Sequence, residues 1–387
     1  MSDGNMEKRF FASVGRKISL LGFGLMRLPI LNGVTADIDY PTAERMVGRA
    51  LDAGINYFDT AWIYHENKSE VFAGEALSKY PRDKYCLATK MPPWVVDSAA
   101  RAEDIFNQQM KKCHVDYFDF YLMHNLCTDN YEPAVKYRIY EFLHKKKEEG
   151  AIRRLGFSIH DTTEQMTRVL NDYDEWDFVQ IQINYIDWDT LGSKRQYEIL
   201  TERGIPVVVM EPVRGGALAS LTPEAASVLK RANPEASLAS WAIRYAADLP
   251  GVLTVLSGMT SPDQLEDNID TMTGFKPLSD EERNVLKEAI AIYRASGAIP
   301  CTGCRYCMDC PSGVDIPRVF EIFNHYRVSL ASIPGLARIV FGNTYRSLTS
   351  SEQAHNCTAC EVCVEHCPQG IDIPKYMNEI ADFAASS

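Results

Sequence analysis

The sequence predicts an α/β protein, a (β/α)8 TIM barrel followed by a small, mainly helical domain rich in cysteine. Three observations carry that expectation. Up to about residue 275, short apolar runs alternate eight times with longer stretches of helical period. Gly297 and Pro300 then break the pattern. Eight of the eleven cysteines fall beyond that break.

In chain order the strand candidates are 18–23, 56–61, 86–90, 118–124, 154–159, 178–184, 206–211 and 252–257. Helical segments are expected near 42–53, 68–79, 102–113, 132–149, 162–171, 194–203, 235–247 and 262–273. Runs such as Val207-Val208-Val209-Met210 and Phe178-Val179-Gln180-Ile181 suit parallel strands buried on both faces. Eight strand–helix units close a barrel. An open doubly wound sheet would need a Gly-rich turn after its first strand, and Gly22-Phe23-Gly24 is too short to supply one. A further helix over 279–294 has Ser279 as its N-cap and Glu281 and Glu282 in its first turn. The expected domains are a barrel over 1–277, a connecting helix over 278–297 and a tail domain over 298–387.

The tail contains an internal repeat. Residues 301–317 read CTGCRYCMDCPSGVDIP and residues 357–374 read CTACEVCVEHCPQGIDIP, with helical material over 318–330 and 334–350 between them. Cys357, Cys360, Cys363 and Cys367, followed by Pro368, have the C-x2-C-x2-C-x3-C-P spacing of bacterial ferredoxins. In that arrangement three thiolates hold one [4Fe–4S] cubane and the fourth reaches the other. Cys301, Cys304, Cys307 and Cys310 repeat the pattern with one residue fewer before the last cysteine, so the crossing is written more clearly at Cys367 than at Cys310. Zinc sites more often use two separated C-x2-C knuckles. Two [4Fe–4S] clusters are therefore expected. Cys86, Cys113 and Cys127 lie alone in apolar or helical surroundings and read as small buried hydrophobes.

Composition fits this reading. The chain is 46% hydrophobic and 24% charged, which is globular rather than disordered. A net charge of −12 argues against nucleic acid or an anionic membrane as partner, and Lys145-Lys146-Lys147 reads as the solvated face of a helix. No apolar run approaches the ~20 residues that span a bilayer. Met1 to Phe11 lacks the apolar core of a secretory signal. A reducing cytoplasm is the expected compartment, where clustered cysteines mean metal rather than disulfides.

Chemistry in a barrel sits at the C-terminal ends of the strands. Those ends carry Asp59, with Tyr64 just beyond, then Lys90, then His124. Charged groups there are costly unless paired. A tyrosine with its pKa near ~10 donates protons poorly at neutral pH. A neighbouring ammonium stabilises the phenolate, an aspartate holds the lysine, and a histidine hydrogen-bonds a substrate oxygen as it gains charge. Together they make an acid for reducing a carbonyl.

The order and spacing of Asp59, Tyr64, Lys90 and His124 resemble the tetrad of the aldo-keto reductase family. The resemblance runs from Gly22-Phe23-Gly24 to Asn268, and with the tail it extends to the subgroup bearing a ferredoxin-like dicluster domain. It implies that Ser158 and Gln180 contact the nicotinamide amide, and that Asn268 belongs to the cofactor site. The sequence departs from the family at two places. Met210 stands where an aromatic ring usually stacks on the nicotinamide, and a thioether packs less specifically. Gly258 and Gln264 stand where NADP-binding members place a Lys and an Arg, which argues against NADP and favours NAD or a flavin. Arg214, with Gly215 and Gly216 in the loop after the seventh strand, is a candidate pyrophosphate contact. His160 reads as a surface or structural histidine.

The expectation is an iron–sulfur oxidoreductase acting on a small carbonyl substrate with NAD(P)H, its clusters exchanging electrons with that cofactor, a flavin or a ferredoxin-like partner. Two other classes fit the same residues: an electron-transfer module whose barrel only binds the cofactor, and a redox sensor with an idle tetrad. Substrate identity and oligomeric state are not written in the sequence.

Overall fold

The structure is a computed structural model that describes residues 5–308, 310–329 and 334–386. Residues 1–4 of the N-terminal stretch and residue 330 of the expected 318–330 helix lie outside the described residues.

The chain opens with a hairpin, β1 (Lys8–Phe10) antiparallel to β2 (Lys17–Ser19). Eight parallel strands follow: β3 (Leu21–Gly24), β4 (Tyr57–Asp59), β5 (Cys86–Met91), β6 (Phe120–Met123), β7 (Leu155–Ser158), β8 (Phe178–Gln182), β9 (Val207–Met210) and β10 (Val252–Gly258). Each pairs with its sequence neighbours, and β10 returns to β3 with Val255 opposite Leu21, so the sheet is a closed barrel. All eight expected strands form, with their ends shifted by up to three residues; β5 and β10 run on to Met91 and Gly258.

Tyr57, Cys86, Phe120 and Phe178, each the first residue of its strand, pack into one buried cluster with Val14 and Ile18 of the hairpin region. The hairpin therefore closes the N-terminal end of the barrel and leaves the C-terminal end for chemistry. Each fully buried Phe in such a cluster contributes about 1.5–3 kcal/mol of transfer free energy. Cys86 and Cys113 are buried core side chains, as expected, whereas Cys127 is only half-buried.

Two differences from the sequence expectation have local causes. The helix expected over 132–149 is two helices, Thr128–Lys136 and Ile139–Glu148. Pro133 lies inside the first, and Arg138 between them takes a left-handed φ of 54° that no helix continues through. A helix not expected from periodicity spans Pro223–Ala232, with Pro223 in its first turn and the Thr222 side chain accepting from Ala225 N–H.

The residues fall into two compact units, one taking the chain to Pro212 and Ala242–Pro277, the other Val213–Trp241 and the chain from Leu278 onward. In the second unit the Pro223–Ala232 helix packs on Asp280–Ala295, which has the expected Ser279 cap completed by Glu282 as a capping box. The sequence repeat becomes a structural one. Asp315 and Asp372 cap the helices Ile316–Asn324 and Ile373–Ala385 by accepting from Arg318 N–H and Lys375 N–H. Those helices share a core of Val319, Phe320, Phe323, Phe341, Met377 and Ile380.

Candidate active site and cysteine cavities

β4 ends on Asp59 and β5 carries Lys90 beside it, because the parallel register sets Asp59 opposite Ala88. Lys90 Nζ donates to Asp59 Oδ1 at 2.6 Å, to the Thr60 carbonyl at 2.8 Å and toward the Tyr64 hydroxyl at 3.4 Å. The lysine side chain is 0% exposed and that of Asp59 4%, so this is a buried ion pair. Burial pushes the lysine down and the aspartate up, and their mutual attraction opposes both shifts. Asp59 Oδ2 is buried without a hydrogen-bond partner among the described residues.

Tyr64 is placed by an unusual turn. His65, Glu66 and Asn67 follow it with φ of 50°, 51° and 69°, three consecutive left-handed residues without a glycine. The turn is pinned by His65, whose Nε2 accepts from Leu28 N–H at 3.1 Å and whose Nδ1 lies 2.7 Å from the Thr35 carbonyl. Backbone strain of this kind persists only where surrounding contacts over-determine it.

A second buried carboxylate stands behind Lys90. Glu70 accepts from Thr89 Oγ1 at 2.7 Å and Gln109 Nε2 at 2.6 Å, and Gln109 also donates to the Lys90 carbonyl at 3.0 Å. Tyr121 donates its hydroxyl to Gln109 Oε1. This network fixes the strand that carries the lysine, and its members are ordinary polar residues on separate elements, so the sequence offered no motif for it.

The tyrosine differs from the sequence argument. Burial, then the Asp59 and Glu211 carboxylates, push the Tyr64 hydroxyl well above the usual phenol range, with Arg27 opposing. Lys90 sits 2.6 Å from Asp59, so the phenol faces a near-neutral pair rather than a bare ammonium. The phenol is held protonated, not poised for ionisation.

His124 follows β6 and is buried. Burial first, then the charges of Lys90 and His160, hold its imidazole well below the usual histidine range, so it is neutral at pH 7. Trp94 packs on it at 5.1 Å between ring centroids, and Tyr64 meets it edge-on at 6.1 Å and 87°. His160 is half-buried, which fits the structural alternative of the sequence reading. Its imidazole is pushed down to about 4 by burial, against a hydrogen bond with Gln182. His160 and Arg27 are thus neighbours of the tetrad that the sequence reading did not assign.

Of the expected cofactor contacts, Gln180 carries a buried amide oxygen, Oε1, left unsatisfied among the described residues, and its Nε2 reaches only the Met210 thioether at 3.6 Å. Ser158 Oγ accepts from Asn125 N–H at 2.9 Å and keeps its own proton to donate. Asn268 Nδ2 donates to Ser257 Oγ at 2.9 Å. Arg214 is buried, with a left-handed φ of 50°, and belongs to the second unit. At the two positions expected to read a 2′-phosphate neither residue is itself a cation, although the Arg27 side chain lies over Gly258, and Gln264 Oε1 accepts from Thr260 N–H at 2.8 Å.

In the second unit the eight cysteines sort into two sets across the repeat. Cys301, Cys304, Cys307 and Cys367 line one cavity, closed by Ile316, Pro317, Phe320, Ile371 and Ile373. Burial raises the Cys307 thiol, and the neighbouring charges that raise it further are Cys304, Cys301 and Cys367. Cys363 is pushed up to about 11 by burial, with Cys357, Cys310 and Cys360 as its charged neighbours. Each set is three cysteines of one run and the last of the other. Four soft donors around an apolar-walled cavity fit a [4Fe–4S] cubane.

Residues 20–291 match the model of the aldo/keto reductase family, and residues 300–371 that of the 4Fe-4S dicluster domain. The chain is 27% identical to the L-galactose dehydrogenase of Arabidopsis thaliana over 74% of its own length and 94% of that protein's. It is 24% identical to the NADH-specific methylglyoxal reductase of Escherichia coli K12, over 70% and 94% respectively. Among solved structures it resembles an aldo-keto reductase of Bacillus halodurans in its holo form, with a TM-score of 0.61 and 26% identity over 74% of this chain and 96% of that one. Among the described residues no helix is long and apolar enough to cross a membrane.

Proposed function

The chain belongs to the aldo/keto reductase family and carries a 4Fe-4S dicluster domain C-terminal to its barrel in sequence, and from that premise we propose that it interconverts a small carbonyl compound and its alcohol, with the two clusters relaying the electrons. The observation that carries the reading is the buried Lys90–Asp59 pair within reach of the Tyr64 hydroxyl, with neutral His124 beside it. Tyr64 gives its proton to the substrate oxygen in the reducing direction and takes it back in the other. His124, uncharged, donates a hydrogen bond to that oxygen as charge develops on it. Lys90 and Asp59 hold a dipole against the phenolate left behind, and Trp94 keeps the imidazole in place.

A nicotinamide cofactor supplies the hydride when bound. Gln180 Oε1 and the Ser158 hydroxyl are the groups that would hold its amide, with Met210 against the ring and Asn268 further along. Gly258 and Gln264 favour NAD over NADP, and one of the matched relatives is itself NADH-specific. A hydride carries two electrons and a cubane takes one, so the pair must be divided between the two clusters or by a bound flavin. A reducing cytoplasm suits the thiolates, and a ferredoxin-like protein is the proposed external carrier.

Replacing Tyr64 with Phe tests the assignment. Carbonyl turnover should fall by about 10²–10⁴-fold, the range for loss of a general acid, with iron content and the visible cluster spectrum unchanged. Turnover equal to the parent's would overturn the assignment.

A further inference from the structure

The two copies of the cysteine motif are alike in sequence and unlike in surroundings. In the first copy Thr302 is 3% exposed. A Cβ built on Gly215 would stand 1.9 Å from the Thr302 carbonyl oxygen and 2.6 Å from its carbon, and Gly215 has φ of +64°. Only glycine allows that approach, so the Arg214–Gly216 turn covers the first cysteine loop at Thr302. In the second copy the matching Thr358 is exposed, as are Ala359, Cys360, Glu361 and Val362. Cys360 is the one exposed cysteine of the eight, and Val362 is 38% exposed.

The charges differ as well. The first loop carries Arg305, 3.7 Å from Asp315. From Ser347 to Pro374 the sequence holds Glu352, Glu361, Glu365 and Asp372 and no Lys or Arg. Glu361 and Glu365 are both exposed and flank the open loop. Electron transfer between proteins needs close approach to a cluster, and complementary charge raises the rate of encounter. An open, acid-rimmed loop with apolar Ala359 and Val362 at its centre offers both.

We propose that the Thr358–Val362 loop docks a one-electron carrier whose contact face is basic, and that the cluster of Cys310, Cys357, Cys360 and Cys363 is its electron donor. The cluster of Cys301, Cys304, Cys307 and Cys367, whose loop is covered at Thr302, is the inner member that refills it. This rests on the reading above that the clusters serve a separate carrier. At each encounter the outer cluster loses one electron and the carrier gains it, with no bond made or broken and no proton moved. A two-electron oxidation of substrate therefore takes two encounters.

The test uses the full cluster-loaded chain, reduced with dithionite, and a basic c-type cytochrome as probe. In low salt, E361K/E365K should weaken binding measured by calorimetry, and slow cytochrome reduction, by about tenfold, since charge at a rim acts mainly on encounter. E103K/E164K, which makes the same charge change on the first unit, should alter both less than threefold. Iron content and the cluster spectrum should be unchanged in both variants. In the parent protein, bound cytochrome should protect amides of residues 358–366 from hydrogen exchange. Protection over 301–308 instead, or equal effects of the two charge swaps, would overturn the proposal. Tyr64→Phe keeps the two readings apart. It stops substrate-driven reduction of the cytochrome if the active-site reading holds, and it leaves dithionite-driven reduction and the exchange footprint unchanged whether or not that reading holds.

Discussion

At the barrel mouth the reactive side chains stand on or just beyond strands, and in the C-terminal unit they stand on loops. Asp59 and Lys90 are held by the ladder of a closed sheet, and the lysine is further fixed from behind by Glu70 and Gln109. The cysteine loops have no sheet. Among the described residues they are joined by helical turns and by short helices capped at Asp315 and Asp372, around a core of fifteen buried side chains. A barrel can hold its geometry before any cofactor arrives. A loop-built cubane site gains much of its order from the metal it binds, because a preformed site rarely exists in the apo chain.

That contrast can be broken or sharpened in three ways, beginning with the largest effect. Cys367→Ser, a change in the second run, should remove the first cluster, because Cys367 lines its cavity with Cys301, Cys304 and Cys307. Iron should fall to about half of the parent's content, and the C-terminal helices should become protease-sensitive while the barrel's cooperative unfolding is retained. Loss of both clusters together with barrel unfolding would show that the two regions do not differ in this way.

Asp59→Ala strikes the opposite region. It strands a fully buried ammonium and should cost about 3–5 kcal/mol of barrel stability by denaturant titration. The cluster spectrum should be untouched. A cost below ~1 kcal/mol would mean that water reaches Lys90 and that the pair is not the dry anchor described.

The smallest effect concerns pH. The His160 imidazole is depressed in the folded chain to about 4, so between the ordinary histidine pKa of ~6.5 and about 4 the unfolded state binds more protons. Stability therefore falls as pH drops through that window. His160→Gln should lose less stability than the parent between pH 6.5 and pH 4, read as the difference in denaturation midpoints. Parallel curves would place His160 in a more solvated setting.

Much of this was legible in the chain. Buried parallel strands leave apolar runs such as Val207-Val208-Val209, and all eight barrel strands could be placed from them. The cysteine runs were readable because cluster ligation imposes a spacing. Two things were not. The Pro223–Ala232 helix has a Thr-Pro start and apolar residues at Ala225, Val228 and Leu229, but it lies where strand–helix alternation assigns only a loop, and that expectation hid both signals. The ionisation of Tyr64 depends on how far Lys90 is neutralised by Asp59, which is a distance and not a motif. Likewise Thr302 and Thr358 sit in matching motifs, and only the approach of Gly215 tells them apart.

The central claim is that the barrel site and the clusters share one electron path. An anaerobic titration of the cluster-loaded protein with NADH, followed by NADPH, tests it most directly. The account predicts that NADH bleaches the brown iron–sulfur absorbance, with two electrons taken up per nucleotide, and that NADPH does so poorly. Clusters that stay oxidised with both nucleotides, yet bleach with dithionite, would contradict it.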